Sequence, residues 1–261
     1  MKILIPMLAL FQLSAAHSSL VAVMDSGTDI SHKDLAPKAW VNSKEKAGSL
    51  TDLDQDGLPG DINGWDFIAN SAKVFDNQYT YIINEDVKKF YDIYGKYDQG
   101  LLSASSPEIT WLRQHSQDAA LMNKVNFIGG YIHGTHVAGI SLKDNPNAKV
   151  LSMKVIPTVY QELTSAKTNQ KKAPRNQVSE QPTKTFDQFR AQLVDDSTSQ
   201  VEEMIKLHNY VNFHRVDVVN QSFGIGYGDA ENFIKSSFIS DLKRSPTDIE
   251  LKILIKTYLY E

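Results

Sequence analysis

Three short apolar runs, at residues 20–24, 150–156 and 216–219, are separated by long stretches with helical periodicity. That alternation constrains the chain most. Strands joined through helices have room for crossover connections, so they form a parallel sheet with helices on its faces. In such sheets the working groups sit at the carboxyl ends of the strands. Asp25-Ser26-Gly27 directly follows the first run, and Asn220-Gln221-Ser222-Phe223-Gly224 follows the third. Asp25 and Ser222 are therefore both placed where chemistry is expected.

The stretches between the runs differ in character. Residues 36–70 cluster Asp, Asn, Gly and Pro and read as loops. Residues 71–125 are aromatic and helical in pattern: Val87, Phe90, Tyr91 and Tyr94 fall at helical spacing, and Ser106-Pro107-Glu108 reads as an N-cap followed by proline at N1. Residues 161–185 are polar and predict an exposed, mobile loop. Residues 197–213 predict an amphipathic helix with Val201, Met204, Ile205, His208 and Val211 on one face. A last helix is expected to start at Ser245-Pro246-Thr247-Asp248. Its apolar residues Ile249, Leu251, Ile253, Leu254, Ile255, Tyr258 and Leu259 are expected to lack a partner surface within the chain, leaving the sheet with an open apolar edge and face.

The ends and the composition narrow the class. Met1-Lys2, the apolar residues 3–13 and Ser14-Ala15-Ala16 read as a signal peptide over residues 1–16, with a buried core segment as the competing reading. The signal implies a secreted or periplasmic protein, and no other stretch is long and apolar enough to span a membrane. A formal net charge of −4 without a basic patch argues against a nucleic-acid partner. The absence of cysteine excludes disulfides and a thiol nucleophile.

The chemistry concentrates in His133-Gly134-Thr135-His136-Val137-Ala138-Gly139. Here a histidine is expected to open a helix, a glycine lets another backbone come close, and small residues let the helix lie against the sheet. Asp25, after a buried strand, is placed to accept the imidazole N–H, fixing the tautomer and stabilising the imidazolium when the other nitrogen takes a proton. Taken singly, Asp25 is also an ordinary turn residue, and His133 and His136 are also surface histidines. As a zinc pair they lack the glutamate of His-Glu-x-x-His.

Together these segments resemble the subtilisin-like serine peptidases, the subtilases. Asp25-Ser26-Gly27 with His32-x-Asp34-Leu35 is similar to the family's aspartate motif, and residues 133–139 match its histidine motif residue for residue. Val218-Val219-Asn220-Gln221-Ser222-Phe223-Gly224 is similar to the strand that pairs with bound peptide. The resemblance implies an α/β, subtilisin-like three-layer fold with a mostly parallel central sheet flanked by helices. It would occupy residues 17–261 as a partial catalytic domain, truncated on its C-terminal side, with 71–125 as a helical insertion. It further implies Asp25 as orienting acid, His133 as general base, His136 as structural within the helix, and Ser222, Phe223 and Gly224 as substrate-binding residues holding a polypeptide by strand addition.

Two features need their own account. Asp52-x-Asp54-x-Asp56-Gly57, with Asp61 nearby, has the oxygen spacing of a calcium loop but lacks the bidentate glutamate at position twelve. It leads into Asn63-Gly64-Trp65-Asp66-Phe67, as an acidic segment of many subtilases does. Structural calcium on Asp52, Asp54, Asp56 and Asp61 is one expectation, and a solvated acidic turn is the other. The family's nucleophile segment, Gly-Thr-Ser-x-Ala-x-Pro, does not occur in residues 1–261. The expectation is therefore a serine endopeptidase of which this sequence holds only Asp and His, inactive alone, with the serine supplied by a downstream segment or chain. The alternative is a degenerate, non-catalytic subtilase fold that binds peptides or a partner.

Overall fold

The computed structural model describes residues 18–162, 181–224 and 226–260; the expected signal peptide at 1–16 and most of the expected mobile loop at 161–185 lie outside them. Four parallel strands form one sheet in the order β2-β3-β1-β4, with β1 at Leu20–Asp25, β2 at Gly64–Asp66, β3 at Lys149–Lys154 and β4 at Val218–Asn220. Among the described residues six α-helices accompany these four strands: α1 Glu85–Asp98, α2 Pro107–His115, α3 Ala119–Ser141, α4 Phe186–Phe213, α5 Tyr227–Leu242 and α6 Asp248–Tyr260.

The period of two along β1 sorts its side chains between two helices. Leu20, Ala22 and Met24 pack with Leu151 and Met153 against Leu207, Tyr210 and Val211 of α4. Val21 and Val23 pack with Val150 against Val137, Ala138 and Leu142 at the end of α3. The result is three layers, α4 over sheet over α3, and β1 is buried along its whole length. Asp25 continues the odd-numbered series, so its side chain leaves the strand on the α3 side.

Both central helices extend beyond the sheet. The first half of α3, through Leu121, Val125, Ile128 and Tyr131, gathers Ile82, Val87 and Phe90 into a second core. The first half of α4, through Phe189 and Leu193, gathers Ile234, Phe238, Leu242, Leu254 and Ile255 into a third. Each fully buried aliphatic or aromatic side chain contributes about 1.5–3 kcal/mol, so these cores hold the long helices in register with the sheet.

Several expectations change. The predicted helix at 197–213 starts eleven residues earlier, because Thr185 and Gln188 close a capping box: Gln188 N–H donates to Thr185 Oγ1 at 3.3 Å and Thr185 N–H to Gln188 Oε1 at 2.8 Å. Its buried face carries Leu207, Tyr210 and Val211, while Val201, Ile205 and His208 are exposed. Of the expected face only Val211 is buried. The last helix has its partners within the chain, since Leu254 and Ile255 are buried against α4 and α5; Ile249 and Ile253 remain exposed. The strand β2 lies inside the region read as loop. Among the described residues the edge strand β4 is open as expected, with Val218 53% and Val219 36% exposed.

Candidate active site

Asp25 ends β1 and is fully buried, and His133 is held against it. His133 Nδ1 lies 2.9 Å from both Asp25 Oδ1 and Asp25 Oδ2. Asp25 Oδ1 also accepts the Ser26 N–H at 2.7 Å. The histidine side chain is 44% exposed. With Nδ1 donating to a carboxylate, the neutral ring keeps its lone pair on Nε2, the arrangement a general base requires.

Gly134 makes this approach possible. A Cβ there would lie 2.4 Å from the Gly27 carbonyl oxygen and 3.0 Å from Asp25 Cβ, so α3 and the end of β1 touch backbone to backbone. Gly134 N–H donates to Ser26 Oγ at 3.2 Å, and Asp29 N–H donates to Thr135 Oγ1 at 2.9 Å. The loop after β1 is thereby fastened to α3 at the two residues that follow the histidine. His133 does not open its helix, however: α3 begins at Ala119, and Asp118 caps it by accepting from Ala120 and Leu121 N–H. The expected helix start is instead the site of closest contact, because the pattern glycine–small residue marks packing as readily as a terminus. His136 rides on the same helix but is exposed.

A lysine could have competed for Asp25 and does not. Lys154 is register partner of Asp25 on β3, yet its ammonium pairs with Asp66 Oδ2 at 3.0 Å, both side chains being buried. The Val155 N–H donates to the Asp25 carbonyl at 2.8 Å. Asp25's carboxylate is thus left to the imidazole and the Ser26 amide.

Ser222, Phe223 and Gly224 follow β4 in an exposed stretch outside helix and strand. Asn220 pairs in register with Val23, so the chain leaves the sheet at the same end as Asp25. Ser222 Oγ donates to Asn220 Oδ1 at 2.6 Å. Phe223 lines one groove with Phe67, Ile68, Val155, Met204 and Leu207, an apolar surface beginning where β3 meets the Asp25 backbone.

The acidic loop separates its carboxylates. Asp52 is spent on the loop itself, accepting from Gln55 and Gly57 N–H at 2.7 Å each. Glu45, outside the expected set, accepts from Asp54 and Gly60 N–H and comes together with Asp52 and Asp54. Asp56 and Asp61 turn instead toward His214 at the end of α4, and Asp54 belongs to both groups. Glu45, Asn42, Tyr210 and His214 are absent from the sequence reading. Tyr210 and His214 share a helical face one turn apart, but nothing local joins them to residue 61.

Comparison with known proteins gives one positive result. A family model described as the subtilase family matches residues 16–249. No curated protein and no solved structure matches the chain.

Proposed function

The chain belongs to the subtilase family, a class of serine endopeptidases, and from that premise we propose that Asp25 and His133 are the orienting acid and general base of peptide-bond hydrolysis. The observation that carries this reading is the placement of His133 Nδ1 at 2.9 Å from both oxygens of a buried carboxylate, on a side chain that is still partly exposed.

In this reading His133 Nε2 takes the proton of a serine hydroxyl as its oxygen attacks the scissile carbonyl carbon. The imidazolium is stabilised by Asp25 and then gives its proton to the leaving amine, freeing it and leaving an acyl-enzyme. Water, deprotonated by the same nitrogen, releases the acyl group and regenerates the serine. Ser222 to Gly224 hold the polypeptide substrate in extended form along the exposed end of β4, whose outer side pairs with no strand among the described residues. The serine comes from polypeptide outside residues 1–261, which contain no Gly-Thr-Ser. Export directed by residues 1–16 places the protein outside the cytoplasm; among the described residues no helix is long and apolar enough to cross a membrane. Structural calcium fits best on the oxygen-only group Glu45, Asp52 and Asp54, hard donors of the kind calcium takes.

A fluorophosphonate probe tests the core of this reading. Residues 1–261 alone should stay unlabelled. Coding DNA read past the Glu261 codon should specify Gly-Thr-Ser-x-Ala-x-Pro, and the polypeptide carrying it should become labelled when joined to this chain. Replacing His133 by Ala should then cut labelling by roughly 10³-fold or more. Labelling of the isolated chain, or labelling indifferent to His133, would sink the proposal.

A further inference from the structure

A second concentration of buried charge lies away from Asp25, between the acidic loop and the C-terminal end of α4. His214 Nε2 is 2.8 Å from Asp56 Oδ2 and 3.4 Å from Asp61 Oδ2. The His214 and Asp56 side chains are 5% and 1% exposed, and Asp61 is fully buried. Asn42 Nδ2 donates to Asp54 Oδ2 at 3.0 Å and to Asp61 Oδ1 at 2.8 Å, while the Tyr210 hydroxyl donates to Asp61 Oδ2 at 2.6 Å.

These neutral donors orient the carboxylates without balancing their charge. Three carboxylates face one imidazole. One oxygen of the group, Asp54 Oδ1, is buried and accepts no hydrogen bond. A buried anionic oxygen without a donor is costly and calls for a cation.

We propose that Asp54, Asp56, Asp61 and His214 bind one divalent ion of the zinc class, tying the 52–61 loop to the end of α4. The ligand atoms of Asp54, Asp56 and His214 already lie within 4.8 Å of one another. Tetrahedral zinc with bonds of about 2.0–2.2 Å would draw these atoms together, with Asp61, whose Oδ2 lies 3.4 Å from His214 Nε2, supplying the fourth ligand. The imidazole decides the class of metal, because calcium and magnesium take oxygen ligands whereas zinc, cobalt and nickel accept nitrogen. His214 is the C-cap of α4, where the carbonyl end of the helix favours positive charge. The ion takes the place of the proton that His214 Nε2 shares with Asp56. Tyr210 and Asn42 then hold the carboxylates as outer partners of metal ligands do. This site shares Asp54 with the calcium reading but differs from it in using Asp56, Asp61 and His214 in place of Glu45 and Asp52.

The test uses the whole chain, stripped of metal with a chelator and titrated with Co²⁺, Zn²⁺ and Ca²⁺. Co²⁺ should bind with one-to-one stoichiometry and give the visible absorption of a four-coordinate nitrogen–oxygen site, which Zn²⁺ then abolishes by displacement. Zn²⁺ should raise the thermal midpoint at concentrations where Ca²⁺ does not. His214→Gln should remove the cobalt band. Asp54→Asn keeps the shape of the loop and relieves the orphaned oxygen, so the metal-free protein should unfold at the same temperature or higher while zinc affinity drops at least tenfold. That variant keeps the test decisive should His214→Gln fail to fold. A cobalt band that survives both substitutions places the metal elsewhere, for example at His133 and His136, and overturns the proposal. So does stabilisation by Ca²⁺ alone that disappears in Asp52→Asn. Neither result bears on fluorophosphonate labelling.

Discussion

At the scale of single residues, the contact between His133 and Asp25 depends on one missing methyl group. Gly134 sits where a Cβ would meet the Gly27 carbonyl at 2.4 Å, a distance no side chain tolerates. Gly134→Ala therefore forces α3 away from the end of β1 at a cost of about 1–3 kcal/mol, read as a lower urea midpoint. It should also lengthen the His133–Asp25 contact, visible as loss of the downfield Nδ1 proton resonance in NMR. An unchanged midpoint and resonance would refute the packing argument. Asp25→Asn tests the orienting role differently. The amide offers a donor where Nδ1–H needs an acceptor, so the ring adopts the wrong tautomer; once the serine-bearing segment is supplied, turnover should fall by about 10⁴-fold with folding intact. The residues of this pair were legible in the sequence because their motifs are local. His214 was not, since its partners Asp56 and Asp61 lie more than 150 positions upstream and only folding introduces them.

At the scale of elements, α6 shows what helix signals reveal and conceal. Its start was legible: Thr247 Oγ1 accepts the Glu250 N–H at 3.2 Å, and Glu250 accepts the Thr247 N–H at 2.8 Å. Its docking was not, because the apolar residues of α6 do not say which surface receives them. Leu254 and Ile255 enter the core built by α4 and α5, whose own buried faces belong to different stretches of chain. The Glu250 carboxyl is held at about 2 by its hydrogen bond from Arg244, helped by the Thr247 N–H. Because the folded value lies below the ordinary 4.5, the group's stabilising contribution is complete above pH 4.5 and fades as pH falls toward 2. The melting temperature of the native chain should exceed that of Glu250→Gln at pH 6, and the gap should close between pH 4.5 and 2. A gap that is constant across that window would show that Arg244 and Glu250 do not hold the helix start.

At the scale of the whole molecule, the sheet is covered on both faces and open at one edge. Among the described residues no strand pairs with the outer side of β4, and Val218 and Val219 are both exposed. Such an edge is a template for another strand. The chain should therefore self-associate at micromolar concentration, and Val219→Lys should shift it toward monomer in light scattering; equal behaviour of the two would remove the edge from consideration. The amino-acid sequence by itself determined the fold class, the strand from which Asp25 emerges and the identity of His133, because strand periodicity and short motifs are written within a few neighbouring residues. Tertiary structure alone decided that the last helix is covered from within, that α4 buries a different face, and that Asp56 and Asp61 meet His214 rather than Asp52. Those outcomes depend on which distant surfaces meet, and the free energy that selects them, burial of apolar area and pairing of buried charge, exists only once the layers have closed.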